Sequence, residues 1–586
     1  MLIKPSHYDS DGYVIQWIRS GIPSNSLASV YALARDAAQR EVLGGAVDID
    51  ITAIDETNSR VRVKDIVALF KRHEYFGLVG LVGVQSNQFP RALDIARPLR
   101  QAGVPVAIGG FHVSGCIAML PEMQADLKDA LDMGCSLFAG EAEDGRLDKV
   151  MQDAAGGALA PIYNHMADLP ALESTPTPYL PPHVLRRTLD HYGSFDAGRG
   201  CPFQCSFCTI INVQGRKSRR RSPDDIEHLI RQHHQQGFRW FFVTDDNFAR
   251  NKDWESIFDR IILLRERDRI EVKMVIQVDT LCHKIPNFID KAARAGVRKV
   301  FIGLENINPA NLLAAKKRQN KITEYRSMLL AWKKARVITY AGYILGFPAD
   351  TPESIREDIE IIKKELPLDI LEFFCLTPLP GSEDHKVLWQ KNVWMDPDMN
   401  KYDLEHVVTG HAKMSKAQWE EIYDSAWKIF YTPDHIRTIL KRAAAFDIGV
   451  SHLASLLFIF AKAVDIEKVH PLQSGAFRRK SRLDRRYGMP IEPVWTFYPK
   501  VVWEMAAKLG RAGWNYYLID RALRNVRKDP LRRQYFDAAL APVEEGDSET
   551  LELLNHTESA RNEVVRIHKI AELTKSSTRP VTEARV

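Results

Sequence analysis

Two series of short β-rich runs alternating with helical stretches, separated by a proline-rich segment, constrain this chain more than any other feature. In the first third MLIKP, VDIDITAID, GLVGLVGV and VPVAIGG read as strands. Ser26 to Arg40, Val63 to His73 and Pro90 to Ala102 carry helical periodicity between and after them. A parallel α/β sheet follows. Gly109 and Gly110 close its fourth strand at the edge where such sheets bind ligands; a plain tight turn is the other reading of that pair.

Prolines crowd the stretch from Ala154 to Pro182 and disfavour both helix and central strand, which places an interdomain linker there. Beyond it FDAGRG, RWFFVTDDN, EVKMVIQVD, KVFIGLEN, ITYAGYILGFP and LDILEFFCLTPLPG predict a partial parallel barrel of β/α units. One intervening helix is expected to start at Ser222, ahead of Pro223, Asp224 and Asp225. From about Lys413 the pattern turns helical, with a basic and aromatic stretch from Phe477 to Phe536 and a polar tail from Glu544. The expected fold is α/β: a doubly wound unit over 1–153, a linker over 154–189, a partial (β/α)6 barrel over 190–412, a helical domain over 413–543 and a polar segment over 544–586.

A chain of 586 residues is too long for one core, and 45% hydrophobic with 26% charged residues is the balance of folding proteins. The net charge of +5 gives no reason to invoke nucleic acid. The N-terminus lacks the basic-then-apolar layout of a signal peptide. Ile448 to Val464 contains His452 and Lys462 and falls short of the roughly 20 residues that span a bilayer, so it reads as a buried or interfacial helix. Seven cysteines, three of them within eight residues, are no disulfide framework, and a cytoplasmic protein is expected.

Those three are Cys201, Cys205 and Cys208 in GRGCPFQCSFC. Chance gives this spacing in about one chain in a thousand of this cysteine content. Three thiolates can hold three irons of a cubane and leave the fourth open, whereas structural zinc, the alternative, wants a fourth protein ligand and none is nearby. The loop, with Phe207 before its last cysteine, resembles that of the radical S-adenosylmethionine (SAM) superfamily. The resemblance implies a 4Fe-4S cluster whose open iron chelates SAM and whose electron cleaves it to a 5'-deoxyadenosyl radical. It also implies SAM contacts at Phe207 and, after the second strand, near Thr244 at Asp245, Asp246 and Asn247, where carboxylates suit a cationic amino group. Gln277 ends the third strand, Glu305 resembles the residue that meets the ribose, and Gly346 lies in GYILGFP, which resembles the adenine-binding motif. The basic run Arg216, Lys217, Arg219, Arg220 and Arg221 admits a nucleic-acid reading, but such runs are mostly solvated surface, so nucleic acid is not the expected partner.

The α/β unit in front of this barrel resembles the cobalamin-dependent branch of the superfamily. Gly-Gly-Phe-His at Gly109 to His112, Pro-Glu at Pro121 and Glu122, and Gly-Glu-Ala-Glu at Gly140 to Glu143 follow that branch's order. The implied cobalamin contacts are Gln85, Ser86, Gly109, Gly110, His112, Gly140 and Glu141. No Asp-x-His-x-x-Gly occurs, which suggests a displaced dimethylbenzimidazole tail. A domain that keeps the shape without the cofactor is the alternative. Cys116 and Cys135 read as small buried residues, and core packing is expected for Cys282 and Cys375.

The resemblance implies C-methylation of an unactivated carbon with methylcobalamin as donor. Cobalamin-dependent cyclisation, ring contraction or oxidation stays open, as does a sensor without turnover. The expected partners are a small-molecule or lipid-like substrate and an electron donor such as a flavodoxin or ferredoxin. Peripheral membrane contact is compatible with the chain. Trp495, Phe497, Tyr498, Trp503, Trp514, Tyr516 and Tyr517 could cover the barrel mouth or contact a lipid, but packing is their expected role.

Overall fold

The computed structural model describes residues 1–189, 192–543 and 550–577. The first third carries β1 (Leu2–Lys4), β2 (Gln16–Ser20), β3 (Ala53–Asp55), β4 (Val79–Leu81), β5 (Val106–Gly109), β6 (Ser136–Ala139) and β7 (Ile162–Asn164). All but β2 form one parallel sheet in the order β3-β1-β4-β5-β6-β7. The order reverses beside β1, the topological switch of a doubly wound fold, where ligands bind outside the strands' carboxyl ends. Helices cover the sheet at Asn25–Gln39, Val63–Arg72 and Phe89–Gln101, within a residue or so of the sequence expectation. The apolar faces of the last two meet Ile3, Val79, Leu81, Val106 and Ile108, while Leu27, Ala28 and Ala34 of the first pack with Leu2, Ala53 and Val82; each fully buried large side chain contributes about 1.5–3 kcal/mol. The edge strand β7 lies within the proline-rich segment, where an edge position tolerates missing backbone donors.

The second sheet is built from β8 (Tyr192–Phe195), β11 (Trp240–Val243), β12 (Lys273–Val278), β13 (Val297–Glu305), β14 (Ile338–Leu345) and β15 (Ile370–Cys375), all parallel and in consecutive order. Between β8 and β11 a small antiparallel pair joins β9 (Gly198–Arg199) to β10 (Arg219–Arg220). Period-2 alternation sorts each barrel strand. Val300, Ile302 and Leu304 of β13 join the core shared with the surrounding helices, while Phe301 faces the other way and meets Tyr340. The helix Pro223–Gln235 starts as its sequence dictates: the Ser222 hydroxyl accepts from the Asp225 amide and the Asp225 carboxylate accepts from the Ser222 amide. Removing that cap would cost about 1 kcal/mol.

The helix Val450–Glu467 lies across the inner face near the strands' amino ends, with Phe460 against Tyr340 and His452 stacked on Trp240. That leaves the carboxyl ends as the approach for ligands. One hydrophobic cluster runs from Phe195 to Val564, so helices beyond Lys413 share the barrel's core. The last strand, β16 (Gly475–Arg479), pairs with β2 and ties this region to the front unit. Among the described residues no helix is long and apolar enough to cross a membrane.

Two expectations are corrected. Of the seven aromatics from Trp495 to Tyr517 only Phe497 is buried; the others lie exposed on the long helix Val494–Lys528. The basic run after the cysteine loop is not a solvated face, because Arg219, Arg220 and Arg221 are turned inward onto carboxylates and backbone carbonyls. Only Arg216 and Lys217 in it are exposed.

Candidate active site

The cysteine loop begins at Gly200, whose φ of +93° and neighbours leave no room for a side chain: a Cβ would stand 2.6 Å from the Lys217 carbonyl. The Cys201 amide donates to Gly215 O at 3.2 Å, and the Cys208 amide donates to Cys205 O at 3.2 Å. The Ser206 amide bonds Ala315 O, and the Asp384 amide bonds Ser206 O, so two later helices fasten the loop to the barrel's rim. Cys205 is buried, and Cys201 and Cys208 are partly exposed. Burial pushes the Cys208 thiol up to about 12 and raises Cys201 as well. Three thiols on one loop beside the cationic Lys317 suit an anionic cluster. Among the described residues no three His, Cys, Asp or Glu side chains are grouped as ligands of a single ion; a cubane takes one thiolate on each of three irons.

Around the loop the barrel supplies polar groups from successive strand ends. Asp246 Oδ2 accepts from the Gly200 amide at 3.1 Å, and burial pushes its carboxyl up to about 6. Asp245 is committed to the fold: its Oδ1 accepts from the Ala197 amide at 2.6 Å, with Asn251 on its other oxygen. Asn247 is spent on Asp279, and Gln277 donates to the Asp245 carbonyl. Glu305, at φ +62°, forms a buried ion pair with Lys317. Gly303 makes room for that pair, since a Cβ there would stand 2.6 Å from Glu305 Oε1. Lys317 Nζ also lies 5.7 Å from the centre of the Phe207 ring.

Phe207 meets Phe347 edge to face at 6.2 Å, within an apolar cluster that includes Ile344 and Ala315. A planar base fits such a surface. Gly346 holds this corner by shape, because a Cβ would stand 1.7 Å from the Trp419 ring. The Gly346 and Phe347 amides both donate to Asp350 Oδ2. Sequence reasoning missed Lys317 and Gln319, whose amide lies 3.5 Å from Cys205 Sγ; nothing local distinguishes them from surface residues.

The front unit brings a cavity to the same place. Gly109, Gly110, Gly140 and Glu141 line it, and Arg199 and Gln214, which flank the cysteine loop, close it. The glycines are required: a Cβ on Gly110 would stand 2.2 Å from the Val84 amide, and one on Gly140 about 3.0 Å from the His165 backbone. These glycines let the front unit pack tightly on itself, and the cavity beside them is lined by the short side chains of Ser26, Ser29, Ala107 and Ser114, a surface that a flat macrocycle such as cobalamin fits. The other expected contacts, Gln85, Ser86 and His112, are not among its lining residues. His112 is buried between Ser86 Oγ at 3.2 Å and Asp126 Oδ2 at 2.8 Å. Gln85 caps a short turn, its amide donating to Gln88.

Glu141 faces the barrel. Its carboxylate receives Arg199 at 2.7 Å and also Arg219, while Arg199 reaches Glu143 at 2.8 Å and Asp196 at 2.8 Å. The units touch again where the helix Phe111–Met119 meets the turn at Pro380; a Cβ on Gly115 would stand 2.4 Å from the Pro380 carbonyl.

A parallel partial barrel with three loop cysteines at its carboxyl edge is the arrangement that the comparisons with known proteins also find. Residues 197–362 match the family model of the Radical SAM superfamily, so the barrel is a Radical SAM domain. It is 28% identical over 352 residues to bacteriochlorophyllide d C-8(2)-methyltransferase of Chlorobaculum tepidum, covering 57% of this chain and 74% of that one. It is 25% identical over 293 residues to hopanoid C-2 methylase of Rhodopseudomonas palustris, covering 49% of this chain and 53% of that one. The fold is similar to that of the radical SAM methyltransferase TsrM of Kitasatospora setae, solved with cobalamin and a [4Fe-4S] cluster, with TM-score 0.52, 16% identity and 74% and 89% coverage.

Proposed function

We propose that this chain is a cobalamin-dependent radical SAM methyltransferase acting on an unactivated carbon of a small, largely apolar molecule. The observation that carries the reading is the front cavity, which ends at Arg199 and Gln214, on either side of the cysteine loop. When bound, the cluster would supply the electron that cleaves SAM to a 5'-deoxyadenosyl radical, and cobalamin would supply the methyl group. The chain's own residues do the positioning. Cys201, Cys205 and Cys208 hold the cluster, Asp246 and Glu305 receive the polar end and ribose of SAM, and Phe207 and Phe347 flank its base. Gly109, Gly110 and Gly140 keep the loops that border the corrin site packed in place. The Arg199–Glu141 pair fixes the front cavity against the cysteine loop. A flavodoxin or ferredoxin would deliver the electron, and we place the protein in the cytoplasm, where thiols stay reduced.

Two relatives methylate a bacteriochlorophyllide and a hopanoid, which supports an apolar substrate here. The test uses SAM labelled in its methyl group with the reconstituted protein and polycyclic or tetrapyrrole acceptors. The reading predicts label in the product; an altered product without label would assign cyclisation, ring contraction or oxidation instead.

A further inference from the structure

The helix Val494–Lys528 is amphipathic with its polar side turned inward. Glu504 lies 3.3 Å from Lys480, Lys508 lies 2.7 Å from Glu467, and Lys500 lies 3.8 Å from Asp11, so its charges are paired against the protein body. The opposite face is apolar and open. Trp495 is 78% exposed, Val502 66%, Leu509 55% and Tyr517 46%, spaced as one helical stripe, with Trp503 and Trp514 beside it at 76% and 62%. The stripe continues through Asp520 into Arg524, which pairs with it at 2.8 Å, and then Lys528, with Arg521 alongside; the three cations are exposed.

A face of this kind needs a cover, because a contiguous apolar patch of this length is not left to water without reason. We infer that the helix Val494–Lys528 docks the protein on the surface of an anionic lipid bilayer. Tryptophan and tyrosine are the side chains that settle at the boundary of headgroups and acyl chains. The cations following on the same face complement anionic headgroups, and they would repel the matching face of a second copy. The polar side, which a free interfacial helix turns to water, is here the side that fastens the helix to the enzyme. The helix thus lies in the plane of the bilayer, as its length and mixed composition allow, and does not cross it.

The inference is independent of the methyl-transfer reading, and its test does not use activity. The full-length, cluster-loaded protein is floated with vesicles of mixed phosphatidylglycerol and phosphatidylcholine, and separately with phosphatidylcholine alone. Docking predicts recovery with the mixed vesicles, weakened by salt. The triple variant Val502→Ser, Trp503→Ser, Leu509→Gln, which removes exposed groups only, should lower the bound fraction at least about tenfold with an unchanged melting temperature. The double variant Arg521→Gln, Lys528→Gln should weaken binding to anionic vesicles by roughly thirtyfold and leave phosphatidylcholine binding unaltered. Failure of the wild-type protein to float would overturn the inference. So would a dimer in solution that the triple variant dissociates, which would make a second copy the cover.

Discussion

Arg199, two residues ahead of Cys201, places its guanidinium 2.7 Å from Glu141 of the front unit, and both side chains are buried. The pair joins the loop that holds the cysteines to the loop that closes the front cavity. Desolvated charges of this kind are stable only together, because each is costly to bury alone.

Arg199→Ala would leave Glu141, Glu143 and Asp196 short of their shared cation. It should destabilise the protein by about 3–5 kcal/mol, read from denaturant unfolding. Glu141→Gln keeps the shape and still leaves Arg199 two carboxylates, so it should cost less and report on the cofactors. Cobalamin content should fall while iron is retained. Equal loss of both metals in Glu141→Gln would make the pair a general stability element.

Glu305→Ala should weaken SAM binding at constant iron content, since Glu305 lies beyond the cysteines on the side of Phe207 and Lys317. Asp246→Ala should do the same. Binding of SAM to the reconstituted variants, followed by calorimetry, checks both. A variant that loses iron instead would show that its carboxylate supports the loop, which for Asp246 would act through the Gly200 amide.

Val at Gly109 and Gly110 together should eliminate cobalamin and spare the cluster. The new side chain at Gly110 must displace Val84, and the one at Gly109 meets Phe138, both within the front unit. Cobalt and iron are measured on the same purified sample. Full cobalt retention would move the cobalamin site elsewhere.

Much of this arrangement is legible in the sequence, for local reasons. The cysteine spacing is a property of one loop. The strands β4, β5 and β11 to β15 announce themselves because buried parallel strands are continuous apolar runs. The pairing of Arg199 with Glu141, or of Lys317 with Glu305, is not legible in this way. Neither partner differs from a surface charge until the fold brings the two together. The short strand β6, SLFA, is not picked out, because no longer apolar run surrounds it as GLVGLVGV and VPVAIGG surround β4 and β5. Strand β16 hides in the basic stretch and is stabilised by β2, more than 450 residues earlier. The aromatics of Val494–Lys528 mislead because periodicity shows that a helix has an apolar face and not which way that face points.

The most direct test of the central claim counts 5'-deoxyadenosine. Wild-type protein, reconstituted anaerobically with iron and sulfide and given SAM and a reductant, should be brown and should release it. Replacing Cys201, Cys205 and Cys208 together with alanine should abolish both colour and product, since no other cysteine lies in the loop. A triple variant that still makes 5'-deoxyadenosine would contradict the account.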